Sequence, residues 1–291
     1  MKAKRKLKKS VKRLIITIVL ILTIKYTYLF LNSFELTENG LIRTQEPSSI
    51  NTSYDSVSAK NRNNGTVQSR LKKMSKSDSR INTILNNYDD YPEELLDMLS
   101  RNIEMLDFVL NYKNNIGNNY DGKLDNVTKG DFPLLMQWDM RWGYTQYGDS
   151  IIAISGCAPT SLAMVIVGLT GDNTVTPYTV AKYAEKNGYY EIGTGTSWSL
   201  MTEGSRYFGL KAEVLSLSEN TVINALKEGN PIICSVRYGD FTTKGHFIVL
   251  TGVEDEKIRV NDPNSNERSS ILWTYERLEP QIKNLWVFSL K

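Results

Sequence analysis

Cys157 is the side chain of this sequence that is best placed for nucleophilic chemistry. It lies in SGCAPTSLAM, residues 155–164, where a loop turns into an apolar helix. Pro159 fits the first turn of that helix because proline lacks an amide donor, and Ser155 is a candidate cap. The unpaired amides and the dipole at a helix N-terminus favour a thiolate over a thiol, which prepares the sulfur to attack a carbonyl carbon.

His246 is the proton partner that such a cysteine needs. The chain contains a single histidine, so no second imidazole competes for this role. His246 opens GHFIVLTG, a stretch with the apolar and β-branched residues of a strand, just after the loop FTTKG. A lone histidine is more often structural than catalytic, but a cysteine at a helix start elsewhere in the chain favours the catalytic interpretation.

Asp262 is expected to orient the imidazole through its other ring nitrogen. It follows the next strand, in VNDPNS. A three-residue connection at 254–256 would put Asp262 and His246 on one face of the hairpin, diagonal to each other. A two-residue turn would put them on opposite faces unless a bulge intervenes, and Asn261 would then be the better partner. Taken alone, NDPN is typical of an ordinary turn.

A side-chain donor is also expected to share the developing oxyanion with the Cys157 amide. Gln137, in QWDMRWGYTQYG, is the first candidate, and Gln146 is the second. The other interpretation of this segment is aromatic packing in the core. Four rings belong to it: Trp138, Trp142, Tyr144 and Tyr147.

The second cysteine, Cys234, lies in NPIICSV, which is typical of a buried strand where a free thiol packs as a small apolar group. The alternative is a disulfide with Cys157, which would remove the nucleophile. One histidine and two distant cysteines do not supply a zinc site of common spacing, so no metal and no organic cofactor are expected.

The N-terminus has the features of a membrane anchor. Eight of the 35 basic residues fall in the arm 1–13, and the other 27 are outnumbered by 32 acidic residues, so the remainder has little support for nucleic-acid binding. Residues 14–31 are mostly apolar and could span a bilayer as one helix. Positive charge before the span predicts a cytoplasmic N-terminus and an extracytoplasmic bulk. A cleaved signal peptide, with 14–24 as its apolar core, is the alternative.

Three regions follow the predicted membrane helix. Residues 32–80 are polar and aperiodic, which indicates a disordered stalk. Residues 81–130 contain a helical segment whose apolar stripe at 91–113 recurs at spacings of three and four. The stripe could form a coiled-coil dimer or pack on the following domain. Residues 131–291 have a globular composition and the length of one domain.

The order of elements in 131–291 predicts an α+β fold, with helices first and a mostly antiparallel sheet afterwards. Helices are predicted after Cys157, at 177–187, at 198–208 and at 219–228. Strands are predicted to begin near residues 231, 246, 257 and 284, with a hairpin turn at EDE.

Five motifs in order resemble one known family. QWDMRWGY, SGCAPTSLAMV, GTSW, GHFIVLTG and VNDPNS are similar to the stand-alone relatives of the double-glycine-leader, bacteriocin-processing cysteine peptidases of the papain-like superfamily. The resemblance covers about residues 131–291. It implies a papain-like fold in which Cys157 is the nucleophile, His246 the base and Asp262 its orienting partner, with Gln137 matching the glutamine ahead of the nucleophile.

Two departures from the family pattern accompany the resemblance. Gln137 lies twenty positions before Cys157 rather than a few, and Ala158 stands where glycine is commoner. No transporter helices or nucleotide-binding motif follow, so the leader-peptide substrate does not transfer with the fold.

The expected function is therefore that of a membrane-anchored, extracytoplasmic peptidase that cuts a peptide or protein through an acyl-enzyme. Two alternatives keep the same domain. One is an amidase for cell-wall peptides or an acyl transferase with the same three residues, and the other is an inactive binding module.

Overall fold

The computed structural model describes residues 66–120 and 122–291. The predicted basic arm, the predicted membrane helix at 14–31 and the predicted stalk up to residue 65 lie outside these ranges. Within the described ranges, every helix is too short or too polar to cross a bilayer.

A set of short helices precedes the globular domain and begins earlier than expected. Its first helix falls inside the predicted stalk, and Leu71 in that helix is completely buried, so the ordered chain starts before residue 80. The helices are α1 (Val67–Met74), α2 (Ile81–Leu85), α3 (Glu93–Leu99), α4 (Leu106–Leu110) and α5 (Tyr112–Asn115), with 3₁₀ turns at Tyr88–Asp90 and Ile103–Met105. We call residues 66–116 the helical segment.

The continuous apolar stripe predicted at 91–113 is wrong in its geometry. The helix ends at Leu99. Asn102 then caps a new 3₁₀ turn, because its side chain accepts a hydrogen bond from the Glu104 amide. Because the helix is broken, the apolar residues on either side of the break do not share one buried face. Leu96 and Leu99 are completely buried, whereas Ile103 is 49% exposed.

The helical segment packs against the following domain, as the second interpretation of the stripe expects. Its apolar core includes Ile151 and Ala153 of that domain. The rings of Phe108 and Tyr144 stack with their centroids 4.1 Å apart, and the Tyr144 hydroxyl donates to the Phe108 carbonyl at 2.9 Å. Ring stacking and the hydrogen bond of the Tyr144 hydroxyl therefore join the helical segment to the following domain.

Residues beyond the helical segment form helices and strands in a mixed order. The helices are α6 (Ile152–Ser155), α7 (Cys157–Thr170), α8 (Pro177–Lys186), α9 (Ser199–Thr202), α10 (Glu219–Lys227), α11 (Asn266–Ser269) and α12 (Tyr275–Leu278), with 3₁₀ turns at Gly204–Phe208 and Glu279–Gln281. The strands are β1 (Gln146–Tyr147), β2 (Ser150–Ile151), β3 (Tyr190–Glu191), β4 (Gly195–Thr196), β5 (Leu210–Val214), β6 (Ile232–Val236), β7 (His246–Glu254), β8 (Lys257–Asn261), β9 (Leu272–Trp273) and β10 (Ile282–Leu290).

The main sheet has six strands in the order β5-β10-β6-β7-β8-β9, and every neighbouring pair is antiparallel. Helix α7 is buried around its whole circumference, and its apolar side chains share one core with β6, β7 and β10. The α+β expectation is confirmed. Strands β5 and β9 are additional to the four predicted, and the helix predicted at 198–208 is a short α-helix followed by a 3₁₀ turn.

Leu71→Ala should destabilise the protein by about 2–5 kcal/mol, because it leaves a cavity in the core of the helical segment. Ile103→Ala is the matched control, and its half-exposed side chain should change the free energy of unfolding by less than about 0.5 kcal/mol. Urea unfolding measures both. Equal losses would mean that Ile103 also belongs to an interface, as a coiled-coil dimer requires.

Candidate active site

Cys157 is the first residue of α7, as the sequence predicts, but the cap differs from the expected one. Gly156 occupies the N-cap position without a side-chain hydrogen bond, and Ser155 ends the preceding helix α6. A Cβ atom on Gly156 would lie 2.4 Å from the Ile152 carbonyl oxygen. Glycine is therefore required here, since α6 folds back against the start of α7 at that point.

Helix α7 places the sulfur beside the main sheet. Residues 158–168 are all buried, whereas the Cys157 side chain is half-buried. One turn further along, the Ser161 hydroxyl donates to the Phe247 carbonyl at 3.4 Å. The start of the helix is thereby tied to the strand that begins with His246.

A bulge in the β7–β8 hairpin sets the position of Asp262. The connection is a two-residue turn, Asp255–Glu256, with both residues at positive φ, so the three-residue loop considered from the sequence is wrong. The register shifts between Leu250 and Gly252, after which Val249 pairs with Asn261. This is the bulged two-residue case, in which Asp262 returns to the face of His246.

Asp262 is completely buried and its carboxylate accepts three hydrogen bonds. The donors are His246 Nε2 at 2.7 Å, the Asn264 amide at 2.8 Å and Arg268 Nε at 2.5 Å. Asn261, the alternative partner, instead donates to the Phe132 carbonyl at 3.0 Å. Because Asp262 engages Nε2 of the imidazole, Nδ1 is the ring nitrogen that remains for Cys157.

The charges of this group shift the pKa values of two members in opposite directions. Burial alone would lower the pKa of His246, but the Asp262 carboxylate and the adjacent Cys157 sulfur outweigh it and raise the pKa to about 9. Burial alone would raise the pKa of Asp262, but Arg268 and His246 outweigh it and lower the pKa to about 2. An imidazolium facing a carboxylate is therefore the favoured state at neutral pH.

Gln137 lines the same cavity as Cys157 and His246. Its backbone amide donates to the Pro263 carbonyl at 2.8 Å, next to Asp262, and its side-chain Nε2 donates to the Ala153 carbonyl at 2.7 Å. Nε2 also donates a longer hydrogen bond to the Ile154 carbonyl at 3.4 Å. Gln146, the second candidate, is exposed in β1 and its side chain donates to the Gly148 carbonyl.

The two cysteines are both free thiols, so the disulfide alternative is wrong. Cys234 is completely buried in β6, as the strand pattern predicts, and burial strongly raises the pKa of its thiol. A thiol held in that state is a poor nucleophile.

A cavity of about 440 Å³ contains Cys157 and His246 on its wall. One side is formed by the helical segment, from Val67 and from residues between Glu93 and Asn102. The loop 241–245 that leads into β7 also lines the cavity. The GTSW segment, which the resemblance includes, does not line this cavity. It lies close to the start of α7, because a Cβ atom on Gly195 would be 3.9 Å from the Ser155 carbonyl oxygen, and Thr196 in β4 hydrogen-bonds to the Tyr147 hydroxyl at 2.7 Å.

Sequence reasoning missed Arg268 and the helical segment as parts of this site. Arg268 lies in α11, which Ser265 caps by accepting from the Arg268 amide. The pattern of a capping serine followed by a short polar run, just after Asp262, could have indicated a helix that turns Arg268 back toward the carboxylate. The polar surface residues of the helical segment carry no comparable signal.

Comparison with protein families adds an independent result. The model of the Peptidase_C39 like family matches residues 129–287, more than half of the chain. That match confirms the resemblance drawn from the five motifs. Among curated proteins, none matches the chain.

Solved structures that match part of this chain include three peptidases. The peptidase domain of Streptococcus ComA, a bifunctional ABC transporter involved in quorum sensing, is 19% identical, with a TM-score of 0.36 over 47% of this chain and 93% of that one. A C39-like peptidase from Bacillus anthracis is 17% identical, with a TM-score of 0.38 over 59% and 99%. A double-glycine-motif protease from an AMS/PCAT transporter, in complex with its leader peptide, is 15% identical, with a TM-score of 0.31 over 57% and 96%.

Asp262→Asn should lower the pKa of His246, because it removes the carboxylate that raises it. The single histidine gives one set of ring signals, so an NMR titration of selectively labelled protein measures this pKa directly. Asp255→Asn, at the exposed hairpin tip, is the control and should leave the titration unchanged.

The same shift has a consequence for stability in the wild-type protein. Because the folded-state pKa of His246 is raised, the stability from the charged pair is complete below about pH 6.5, the unfolded pKa, and is lost as the pH rises through about 9. A wild-type His246 that titrates near 6.5 would contradict both expectations.

Proposed function

The chain belongs to the Peptidase_C39 like family and is a cysteine peptidase, and from that premise we propose that it hydrolyses peptide bonds through an acyl-enzyme formed on Cys157. The observation that carries the proposal is the 2.7 Å hydrogen bond from His246 to the buried Asp262, on the wall of the cavity that also contains Cys157.

In the first half-reaction, the Cys157 thiolate attacks the carbonyl carbon of the scissile peptide bond. A carbon–sulfur bond forms while the carbonyl oxygen takes the negative charge. As the carbon–nitrogen bond breaks, the His246 imidazolium gives its proton to the leaving amine. The product is a thioester on Cys157 and a neutral imidazole.

In the second half-reaction, neutral His246 accepts a proton from a water molecule that attacks the thioester. The carbon–sulfur bond breaks and the carboxylic acid leaves. Asp262 holds the ring through Nε2 in both halves and stabilises the imidazolium whenever it forms. Arg268 keeps the Asp262 carboxylate ionised, which supports that role.

The oxyanion of both halves needs donors, and we assign two. The Cys157 amide belongs to the first turn of α7, where backbone amides have no acceptor within the helix. Gln137 Nε2 is the side-chain donor, and its long 3.4 Å hydrogen bond to the Ile154 carbonyl is the one that would be exchanged for the oxyanion. Its proximity to Asp262 through the Pro263 carbonyl supports this assignment, despite the long sequence separation from Cys157.

The substrate is a peptide or protein segment bound between the helical segment and the loop 241–245. Both elements line the cavity that contains Cys157. An extended peptide fits such a cleft because its backbone presents the carbonyl carbon to a residue on the wall.

The proposal extends to location. Eight basic residues in 1–13 followed by the apolar run 14–31 support an uncleaved anchor, with its N-terminus in the cytoplasm and the peptidase outside. Family membership is compatible with that topology and does not depend on it.

Cys157→Ala should abolish cleavage of a peptide library, with products identified by mass spectrometry, because no other group can form the acyl-enzyme. Gln137→Ala should retain folding but lower kcat by a factor on the order of a hundred or more. Cys234→Ala is the matched control, and its buried thiol should be dispensable for turnover. Cleavage by the Cys157→Ala protein at the wild-type rate would overturn the proposal.

The anchor is tested by membrane fractionation and intact mass. The full chain should resist carbonate extraction and keep its first 31 residues, whereas a variant that starts at residue 32 should leave the membrane fraction. A mature protein that lacks these residues would support the signal-peptide alternative instead.

A further inference from the structure

Glu104 lies outside the residues that the family model matches, yet it contacts the loop that carries Asp262. Its Oε1 accepts from the Glu267 amide at 2.9 Å and from the Ser265 hydroxyl at 3.2 Å. Its Oε2 accepts from the Asn266 amide at 2.7 Å and from the Asn266 side chain at 2.9 Å. One carboxylate therefore binds four donors at the start of α11.

The loop held in this way supplies the partners of the Asp262 carboxylate. We call residues 262–269 the acid loop. The amide of Asn264 and the guanidinium of Arg268, on either side of the residues that Glu104 binds, both donate to Asp262. The loop also closes on itself, because Ser269 accepts from the Asp262 amide at 2.9 Å. Displacing its centre would move the donors that keep Asp262 aimed at His246.

A second contact from the helical segment holds the same loop. The Asn102 side chain donates to the Asn264 carbonyl, which also accepts from Trp138 Nε1 at 3.2 Å. Asn102 is buried and Glu104 is half-buried, and both lie at the break between α3 and α4. The interruption between α3 and α4 thus places the side chains of Asn102 and Glu104 in contact with the acid loop.

The chemistry at position 104 requires an ionised carboxylate of this length. Each oxygen accepts from a backbone amide, that of Glu267 on Oε1 and that of Asn266 on Oε2, so a glutamine would turn its NH₂ toward an N–H donor whichever way it lies. Aspartate would keep the charge but draw the oxygens back by about 1.5 Å, the length of one carbon–carbon bond. Both substitutions remove hydrogen bonds, and only one of them removes the charge.

We propose that Glu104 is a positioning residue for catalysis: by holding the acid loop, it keeps the Asp262 carboxylate aligned with His246, so that the helical segment completes the catalytic centre. The inference rests on the proposed roles of His246 and Asp262. It also makes the helical segment part of the enzyme.

The pKa of His246 that a titration measures depends on the charged and titratable groups around its ring. Asp262 and Cys157 contact the ring, Arg268 lies behind the carboxylate, and the exposed Lys244 lies at the cavity two residues away in the chain. Glu104 bonds to the acid loop and not to the ring. A change in the titration on substitution of Glu104 must therefore pass through Asp262 or through the long-range field.

The experiment measures the titration of His246 by NMR in the full chain, for Glu104→Gln and for Glu104→Asp. Both variants should lower the pKa of His246 by about one pH unit, because both loosen its carboxylate partner. In the peptide-cleavage assay both should lower kcat by about tenfold to a hundredfold with a smaller change in KM, as expected for a misaligned proton-transfer group. Asp89→Asn, which removes an exposed charge from the same segment, should match the wild type.

Three outcomes would overturn the inference. A shift in Glu104→Gln alone would assign the effect to charge. Unchanged titrations in both variants, with normal turnover, would show that the acid loop holds itself. A fall in turnover that follows only the loss of folded protein in thermal melts, with the titration unchanged, would make Glu104 merely structural.

Failure of the proposed function has a different signature. In that case the wild-type protein would cleave no peptide, or Cys157→Ala would cleave as well as the wild type, whatever the Glu104 variants do. The NMR titration needs no substrate, so the positioning contact can be judged separately from turnover.

Discussion

Burial of the Asp262 carboxylate is the constraint on which the rest of the site depends. An ionised group removed from water is strongly destabilising unless protein donors replace the lost solvation. Here a strand residue, a loop amide and a helix guanidinium supply the donors. Because His246 belongs to β7 and the other two donors, Asn264 and Arg268, belong to the acid loop, the strand and the loop must be in place together for the charge to be tolerated. The same compensation raises the pKa of His246 and favours the imidazolium that the proposed mechanism uses.

The sulfur of Cys157 is positioned by apolar packing instead. Helix α7 is buried around its circumference, so its axis is held by the core and its first residue meets the cavity. Gly156 lets the chain turn tightly just before the nucleophile. A rigid apolar scaffold beneath a small polar site limits the freedom of the reacting groups, which is what an oriented nucleophile needs.

Much of the fold follows from local patterns. Helices α8 and α10 lie within the predicted ranges 177–187 and 219–228, and in the structure Thr176 and Ser218 cap them. Four main strands lie where strand patterns predict. The errors have physical causes. A stripe of leucines does not reveal that Asn102 interrupts the helix, because a side chain that caps a new turn depends on contacts far along the chain. Short strands at sheet edges, such as β9, are formed by pairing with a neighbour and have little pattern of their own.

The sequence by itself determined the chemistry: one histidine, a cysteine at a helix start and an acidic residue after a strand leave few other assignments. Only the tertiary structure decided the geometry. The bulge at Leu250–Gly252 sets whether Asp262 or Asn261 meets the imidazole, and sheet register is a property of two strands together. The contacts of Arg268 and Glu104 likewise join parts of the chain that local spacing cannot relate, because a buried charge is balanced by whatever the fold brings near it.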